Sequence, residues 1–135
     1  MNSTAVDIAA YMEADSSGES LVGLTFATDL FVGKEPNSPD NCVTIFDTPG
    51  YPPQLTFLKG ERYEYPSIQI RVRNRGYVAG FAMAESIKEL LHGYGQVTIN
   101  GTFYSLIQCT GGPTLLDWDE KERARFILNF NVQRR

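Results

Sequence analysis

The chain has 135 residues, of which 42% are hydrophobic and 21% charged, and this composition is typical of one globular domain with a single core. No apolar run reaches the roughly 18 residues that a membrane-spanning helix requires, and residues 1–15 contain acids but no Lys or Arg, which argues against a secretory signal. The net charge of −4 argues against tight generic binding of DNA, because such binding requires an excess of positive charge.

The N-terminal segment is predicted to form a short amphipathic helix over residues 5–14. Thr4 is a suitable N-cap, and Asp7 lies in the first turn, where a carboxylate interacts favourably with the helix dipole. Polar residues and a glycine at 15–18 are expected to end the helix. A helix of this length is marginal in water, so it must pack on the rest of the chain.

Two strands are predicted next, each followed by a loop. The first covers residues 24–32 and the second residues 42–46, because apolar residues alternate with other residues there. Residues 33–41 are turn formers without an apolar anchor. Residues 47–53 contain three prolines and a glycine, which indicates a turn after the second strand. A further connection over residues 58–65 leads to the centre of the chain.

The central segment, residues 66–93, is predicted to supply one strand and the helix that covers it. Every second residue between positions 68 and 72 is Ile or Val, so one face of the strand is packed and the other is wet. From Met83 onward, apolar residues recur at three- and four-residue steps, which is the pattern of a helix that lies on a core. We expect the helix to end at His92 and Gly93.

A β-hairpin is the strongest local prediction. Residues 96–99 and 102–108 are rich in β-forming side chains, and Asn100-Gly101 between them is the signature of a type I′ turn. The Gly-Gly-Pro sequence at 111–113 is expected to break the strand pairing.

The chain continues with a charged loop or hairpin arm over residues 115–123 and ends with a strand over residues 125–133. The element order is therefore predicted as α-β-β-β-α-β-β-β, in which strands cluster and helices do not alternate with them. This order predicts an α+β fold with a mixed, mainly antiparallel sheet and two helices on one face. We expect residues 1–135 to form a single domain.

Few side chains are suited to catalysis or metal binding. His92 is the only histidine and lies in the last turn of a predicted helix, where a structural role is more common. Cys42 and Cys109 are too few for structural zinc, which takes four ligands. The acidic segment 117–122 lacks the glycine turn of a calcium loop. We therefore expect no enzyme activity, no metal and no cofactor.

Arg71, Arg73 and Arg75 form the one group of charges that requires a partner. Alternate positions direct all three toward the solvent side of the central strand, where like charges repel unless an acidic group neutralises them. The partner is an acid on a neighbouring strand of the same subunit, an acidic surface on a neighbouring copy or partner protein, or a phosphate backbone. We predict these arginines as interface residues.

Two polar loops are the other predicted contact regions. They contribute Trp118, Asp119 and Arg123 from segment 117–123, and Lys34 and Glu35 from segment 33–41. The charge is also divided along the chain, since residues 1–60 carry eight acids and two lysines while the remainder has a small positive excess. This division suggests two surfaces of opposite sign, which suit contacts between stacked or neighbouring copies.

Four stretches of the sequence resemble one phage family. They are CVTIFDTPGYPP, YPSIQIRVRNRGY, the helix positions Ala84, Ile87, Leu90 and Leu91, and GGPTLLDWDEKERARFILNFNV. This family is described as a minor capsid protein and is similar to the tail terminators of long-tailed phages. The resemblance extends over about residues 5–134, and its motifs are structural rather than catalytic.

The resemblance implies a structural virion protein located in the tail or neck and assembled in the host cytoplasm. Such proteins form a ring, usually of six copies, that caps the tail tube and joins it to the head-completion or neck protein. DNA would pass through the ring without tight binding, and no membrane would be involved. The alternatives are a head–tail connector or head-completion protein, and a small non-catalytic binding module.

Overall fold

The structure is a computed structural model that describes residues 2–13, 24, 26–55 and 62–135. Its elements, in chain order, are α1 (Thr4–Glu13), β1 (Leu30–Val32), β2 (Cys42–Leu55), β3 (Arg62–Asn74), α2 (Tyr77–Leu91), β4 (Val97–Ile99), β5 (Thr102–Trp118) and β6 (Ala124–Arg134). The strands form one sheet in the order β1-β2-β3-β6-β5-β4. The β1–β2 pair is parallel and the other pairs are antiparallel, which confirms the predicted mixed sheet.

One face of the sheet forms the hydrophobic core. Cross-strand rows of apolar side chains run through its central strands, and one such row contains Ile45, Ile70 and Leu128, all fully buried. Both helices contribute to the same cluster, for example with Ile8 of α1 and Ile87 of α2. The period-two pattern in β3 and β6 therefore arises because alternate residues enter this core.

The start of α1 differs from the prediction at its cap. Thr4 was expected to be the N-cap, but it is the first helical residue and is buried. The cap is Ser3, whose Oγ accepts a hydrogen bond from the Val6 amide at 3.2 Å. A second free amide, that of Ala5, donates to Asp47 Oδ1 on β2 at 3.0 Å. The first amides of α1 are therefore capped both by Ser3, which directly precedes the helix, and by Asp47 of the sheet beneath it.

Asp7 joins α1 to the opposite end of the sequence. Its side chain is fully buried, and its carboxylate accepts a short hydrogen bond from the Tyr104 hydroxyl and one from Asn100 Nδ2 at 3.0 Å. Arg134 lies 4.0 Å from the same carboxylate and also donates to the Tyr104 oxygen at 3.2 Å. Burial and the bond to Asp7 raise the pKa of Tyr104, so its hydroxyl stays protonated as a donor.

The first predicted strand is shorter than expected. A strand over residues 24–32 was predicted, whereas β1 covers only Leu30–Val32, and Phe26 forms an isolated bridge to Leu30. Ala27 has a φ of +65°, which takes the chain out of the extended conformation. The predicted helix end at 15–18 lies outside the described residues.

Residues 47–53, predicted as a turn, are part of a long strand instead. β2 continues from Cys42 to Leu55 and pairs with β3, with irregularities between Thr48 and Tyr51 and between Tyr51 and Gln54. The three prolines of this segment lie at these irregularities. Proline lacks an N–H donor, so it is tolerated in a strand where the regular pairing is interrupted.

The C-terminal half follows the prediction at the hairpin but not at the Gly-Gly-Pro sequence. Asn100 and Gly101 have φ values of +50° and +81°, which confirms the type I′ turn. The predicted break at 111–113 is wrong, because β5 continues through it to Trp118 with register shifts. Gly112 permits this, since its φ is +102° and a Cβ atom there would lie 2.4 Å from the Ile127 carbonyl oxygen.

The segment 115–123 was predicted as a charged loop or hairpin arm, and the second alternative is correct: residues 115–118 end β5 and residues 119–123 form the tight turn to β6. No helix in the described part of the chain is long and apolar enough to span a membrane.

Replacing Asp7 with alanine should lower the free energy of unfolding by about 3 kcal/mol or more, because the change leaves the Tyr104 hydroxyl and the Asn100 amide without their acceptor and removes the buried negative charge 4.0 Å from Arg134. Urea denaturation measures the effect. Val6→Ala, at an exposed neighbouring position, is the control and should change stability by less than about 0.5 kcal/mol. Equal effects of the two substitutions would contradict the role of the Asp7 network.

Candidate interaction surface

Charged residues from four segments meet at one end of the sheet. In the ladder, Arg73 of β3 pairs with Arg125 of β6, which pairs with Asp117 of β5. We call the whole group the arginine corner, and its members are Glu35, Asp40, Arg73, Arg75, Asp117, Asp119, Arg123 and Arg125. It contains four guanidinium groups and four carboxylates, so its formal charge is zero.

Arg73 is the buried centre of the arginine corner. Its side chain is 2% exposed and every guanidinium nitrogen has a partner in the same chain. Nη2 donates to the Pro39 carbonyl oxygen at 2.7 Å, Nε donates to that of Asp40 at 3.2 Å, and Nη1 lies 3.3 Å from Glu35. A buried guanidinium without these partners would be strongly unfavourable, so Arg73 holds the 33–41 loop in place.

Arg123 fixes the same loop from the other side. This side chain is 4% exposed; Nε donates to Asp119 Oδ2 at 2.6 Å and Nη1 to the Asn37 carbonyl oxygen at 2.6 Å. Nη1 also lies 3.2 Å from Asp40. Asp119 Oδ1 in turn accepts two backbone amides of the β5–β6 turn. The turn and the loop are therefore ordered by one guanidinium.

Arg125 completes the network through a two-pronged pair with Asp117, and its Nη1 lies 3.3 Å from Glu35. The hydrogen bond from Arg125 holds the pKa of Asp117 below its ordinary value. Burial opposes ionisation of Asp119, but the hydrogen bonds from Arg123 and the Lys121 amide together outweigh it, so the pKa of Asp119 is also lowered. At Asp40, the hydrogen bond from Arg75 lowers the pKa. All three acids are therefore ionised when the corner is formed.

At this corner, the acidic first part of the sequence and the more basic second part do not form separate surfaces of opposite charge. The acids of residues 33–41 pair with arginines of the C-terminal half inside one subunit. This is the first of the three alternatives for the arginine triad, with the difference that the acids for Arg73 and Arg75 come from a loop and not from a neighbouring strand.

The three arginines of the triad also differ in position. Arg73 is buried, whereas Arg75 follows the end of β3 and is 72% exposed, with its Nε 2.5 Å from Asp40. Arg71 is partly buried on the polar face of the sheet, where it donates to Gln69 and lies 5.0 Å above the Phe46 ring. The prediction that all three arginines face solvent is therefore wrong, since only Arg75 is largely exposed.

The other predicted contact residues divide in the same way. Glu35, Asp119 and Arg123 are mostly buried in the corner, whereas Lys34 is exposed and Trp118 is 50% exposed. A groove of about 380 Å³ lies beside the corner, and Trp118 and Lys121 are in its lining. Of the carboxylates that line it, those of Glu35, Asp117 and Asp119 are paired with arginines. In the part of the chain that the structure describes, no group of three His, Cys, Asp or Glu residues is arranged to hold a metal ion.

Sequence reasoning missed an exposed apolar surface next to the corner. We call it the aromatic patch, and its members are Tyr77, Val78 and Phe81 of α2 and Trp118 of β5, which are 48%, 80%, 38% and 50% exposed. The helix was predicted from the stripe that begins at Met83, so the apolar residues of its first turns were not considered as a surface. The sequence YVAGFA at its start was the available signal.

Arg73→Met should lower the free energy of unfolding by about 3 kcal/mol or more, because it leaves two carbonyl oxygens without a buried donor and removes one of the two guanidinium partners of Glu35. The control Arg75→Met removes an exposed pair and should cost at most about 1 kcal/mol. Chemical denaturation measures both, and hydrogen exchange should show faster exchange of the amides of residues 33–41 in Arg73→Met alone. Similar stability of the two variants would rule out Arg73 as the buried centre.

The depressed pKa of Asp117 makes stability depend on pH. Its contribution is complete above the ordinary carboxyl value and is lost as the pH falls through the lower, folded value. Between about pH 5 and about pH 2, unfolding free energy should therefore fall less steeply in Asp117→Asn than in the unmodified protein. Glu120→Gln, at an exposed acid of the same turn, should follow the unmodified curve. A parallel curve for Asp117→Asn would contradict this assignment.

Comparison with known proteins agrees with a structural role. The sequence profile of the family described as bacteriophage tail terminator protein matches residues 19–135. A chain in the solved structure titled virion of native gene transfer agent (GTA) particle has a similar fold, with a TM-score of 0.65 and 14% identity, over 97% of this chain and 93% of that chain. No curated protein matches the sequence. The family match places the protein in the virion, at the tail and neck. The chain belongs to the bacteriophage tail terminator family.

Proposed function

We propose that the protein is a tail terminator that assembles as a ring, of about six copies, on the head-proximal end of the tail tube. The observation that carries this proposal is the family match over residues 19–135. In this role the ring stops addition of tube subunits and presents a new surface to the head-completion protein. The family match favours this role over the connector, head-completion and binding-module alternatives.

The rigid corner supports a role in assembly. A ring that joins two different partners must present fixed surfaces to each, and loops usually supply such contacts. Here the 33–41 loop and the β5–β6 turn are fixed to the sheet by buried guanidinium groups. We propose that Lys34, Arg71, Arg75 and Trp118 contact neighbouring proteins, whereas Arg73, Arg123, Glu35 and Asp119 act indirectly by holding these loops.

The polar face of the sheet supports passage of DNA without tight binding. Its central rows contain amides and a hydroxyl that bond to one another, as in Ser67–Asn131 at 2.7 Å and Gln69–Asn129 at 3.3 Å. The four arginines of the corner are each paired with a carboxylate. Apart from Arg71, this surface consists of neutral amides and paired arginines, which release few counterions from DNA and therefore hold the phosphate backbone weakly.

Native mass spectrometry and negative-stain microscopy of the purified chain test the ring directly. We expect a closed ring of about six copies with a central opening. In a phage that lacks the gene, tail tubes should no longer end at a uniform length and should not join heads, and the gene supplied from a plasmid should restore both. Tails of normal length that join heads without the protein would refute a terminator role.

A further inference from the structure

Exposed apolar surfaces lie at two places that the corner does not explain. The first is the aromatic patch. The Tyr77 and Phe81 rings pack edge-on against Phe126 of β6, with centroid distances of 5.2 and 6.1 Å. On the same face of β6, Ala124 pairs with Trp118 of β5. The helix aromatics therefore lie on Phe126, and Trp118 lies beside Ala124, two residues away on the same face of β6.

The second surface belongs to the far part of the β2–β3 hairpin. Tyr51 is 70% exposed, and the adjacent Pro52 and Pro53 are exposed as well. With Tyr65 of β3 they line an open cleft of about 510 Å³. We call Tyr51, Pro52 and Pro53 the proline arm. Tyr51 pairs with Tyr65, whereas Pro52 and Pro53 have no partner in the register of β2 and β3.

The two surfaces lie at opposite ends of the subunit. Tyr51 pairs with Tyr65 near the start of β3, whereas the aromatic patch lies beside Asn74 at the end of that strand. Nine residues of extended chain separate Tyr65 from Asn74, which corresponds to roughly 30 Å. A proline arm therefore cannot reach the aromatic patch of its own subunit, but it can reach that of another copy.

We propose that the proline arm of one copy docks on the aromatic patch of the next copy and that this contact joins the subunits of the ring. Proline rings pack well on aromatic side chains, and a Pro-Pro segment offers no N–H groups that would lose water on burial. Exposed Trp and Tyr side chains are frequent anchors of such contacts. Because the two surfaces differ, the contact is heterologous and can close into a ring.

This inference rests on the proposed function, and variants that introduce a negative charge into each surface test it. Val78→Glu alters the patch, and Tyr51→Glu alters the arm. Val6→Glu is a matched control, because Val6 is also an exposed valine in the first turn of a helix, where glutamate is tolerated. Each interface variant should require an about 30-fold or higher concentration to assemble, whereas Val6→Glu should assemble as the unmodified chain does.

Mixing the two interface variants gives a sharper result. Val78→Glu retains an intact arm and Tyr51→Glu retains an intact patch, so a one-to-one mixture should form a heterodimer and nothing larger. Native mass spectrometry with one isotope-labelled variant identifies it. A photo-crosslinking amino acid at position 78 of the otherwise unmodified chain should join the proline arm of a differently labelled copy.

The outcomes separate this inference from the ring itself. The arm–patch contact is wrong if both variants assemble as the control does. It is also wrong if a ring forms and position 78 cross-links to segments other than the proline arm. In either case the proposed ring is unaffected. If the unmodified chain forms no ring in solution or on tails and gives no cross-link between copies, both proposals are wrong.

Discussion

Burial of the Arg73 guanidinium is the constraint on which the functional end of the molecule depends. A charge with 2% exposure must have its donors satisfied, and here the acceptors are two carbonyl oxygens and a carboxylate of the 33–41 segment. That segment has no apolar anchor of its own, so its conformation is set by hydrogen bonds rather than by a core. The β5–β6 turn is ordered in the same way through Arg123. At this end of the sheet, buried guanidinium groups therefore hold a polar loop and a polar turn in fixed positions.

Local sequence patterns were sufficient for much of the sheet. Alternation between positions 68 and 72 indicated the buried face of β3, and Asn100-Gly101 indicated the hairpin, because both signals arise from neighbouring residues. Other features depend on distant partners. The prolines of residues 47–53 indicated a turn, yet β3 supplies a partner along which an irregular strand is stable. Period-two reasoning placed Arg73 on the outer face correctly, but a loop from elsewhere in the chain covers that face.

The candidate surface was only partly accessible to sequence reasoning for the same reason. Charge indicated five of the eight residues of the arginine corner and missed Asp40, Asp117 and Arg125. Charge also does not show which arginines are buried. Trp118 was identified as an exposed anchor, and it is half exposed. The exposed apolar residues of α2 were missed because apolar residues in the first turns of a helix are normally assigned to the core when the position of the helix on the sheet is unknown. Val78 is 80% exposed although Gly80, two residues later, is buried against Phe126, so Val78 lies on the outer side of the helix.

Internal neutrality of the arginine corner has a consequence for how subunits meet. The four guanidinium groups and four carboxylates lie within hydrogen-bonding distance of one another, so their electric fields cancel within a few ångströms. This distance is shorter than the Debye length, which is about 8 Å at physiological ionic strength. Such a corner provides little long-range electrostatic steering, so encounter rates between copies depend mainly on diffusion and shape. Assembly of the subunits is then governed by their local concentration and only weakly by the salt content of the host cell.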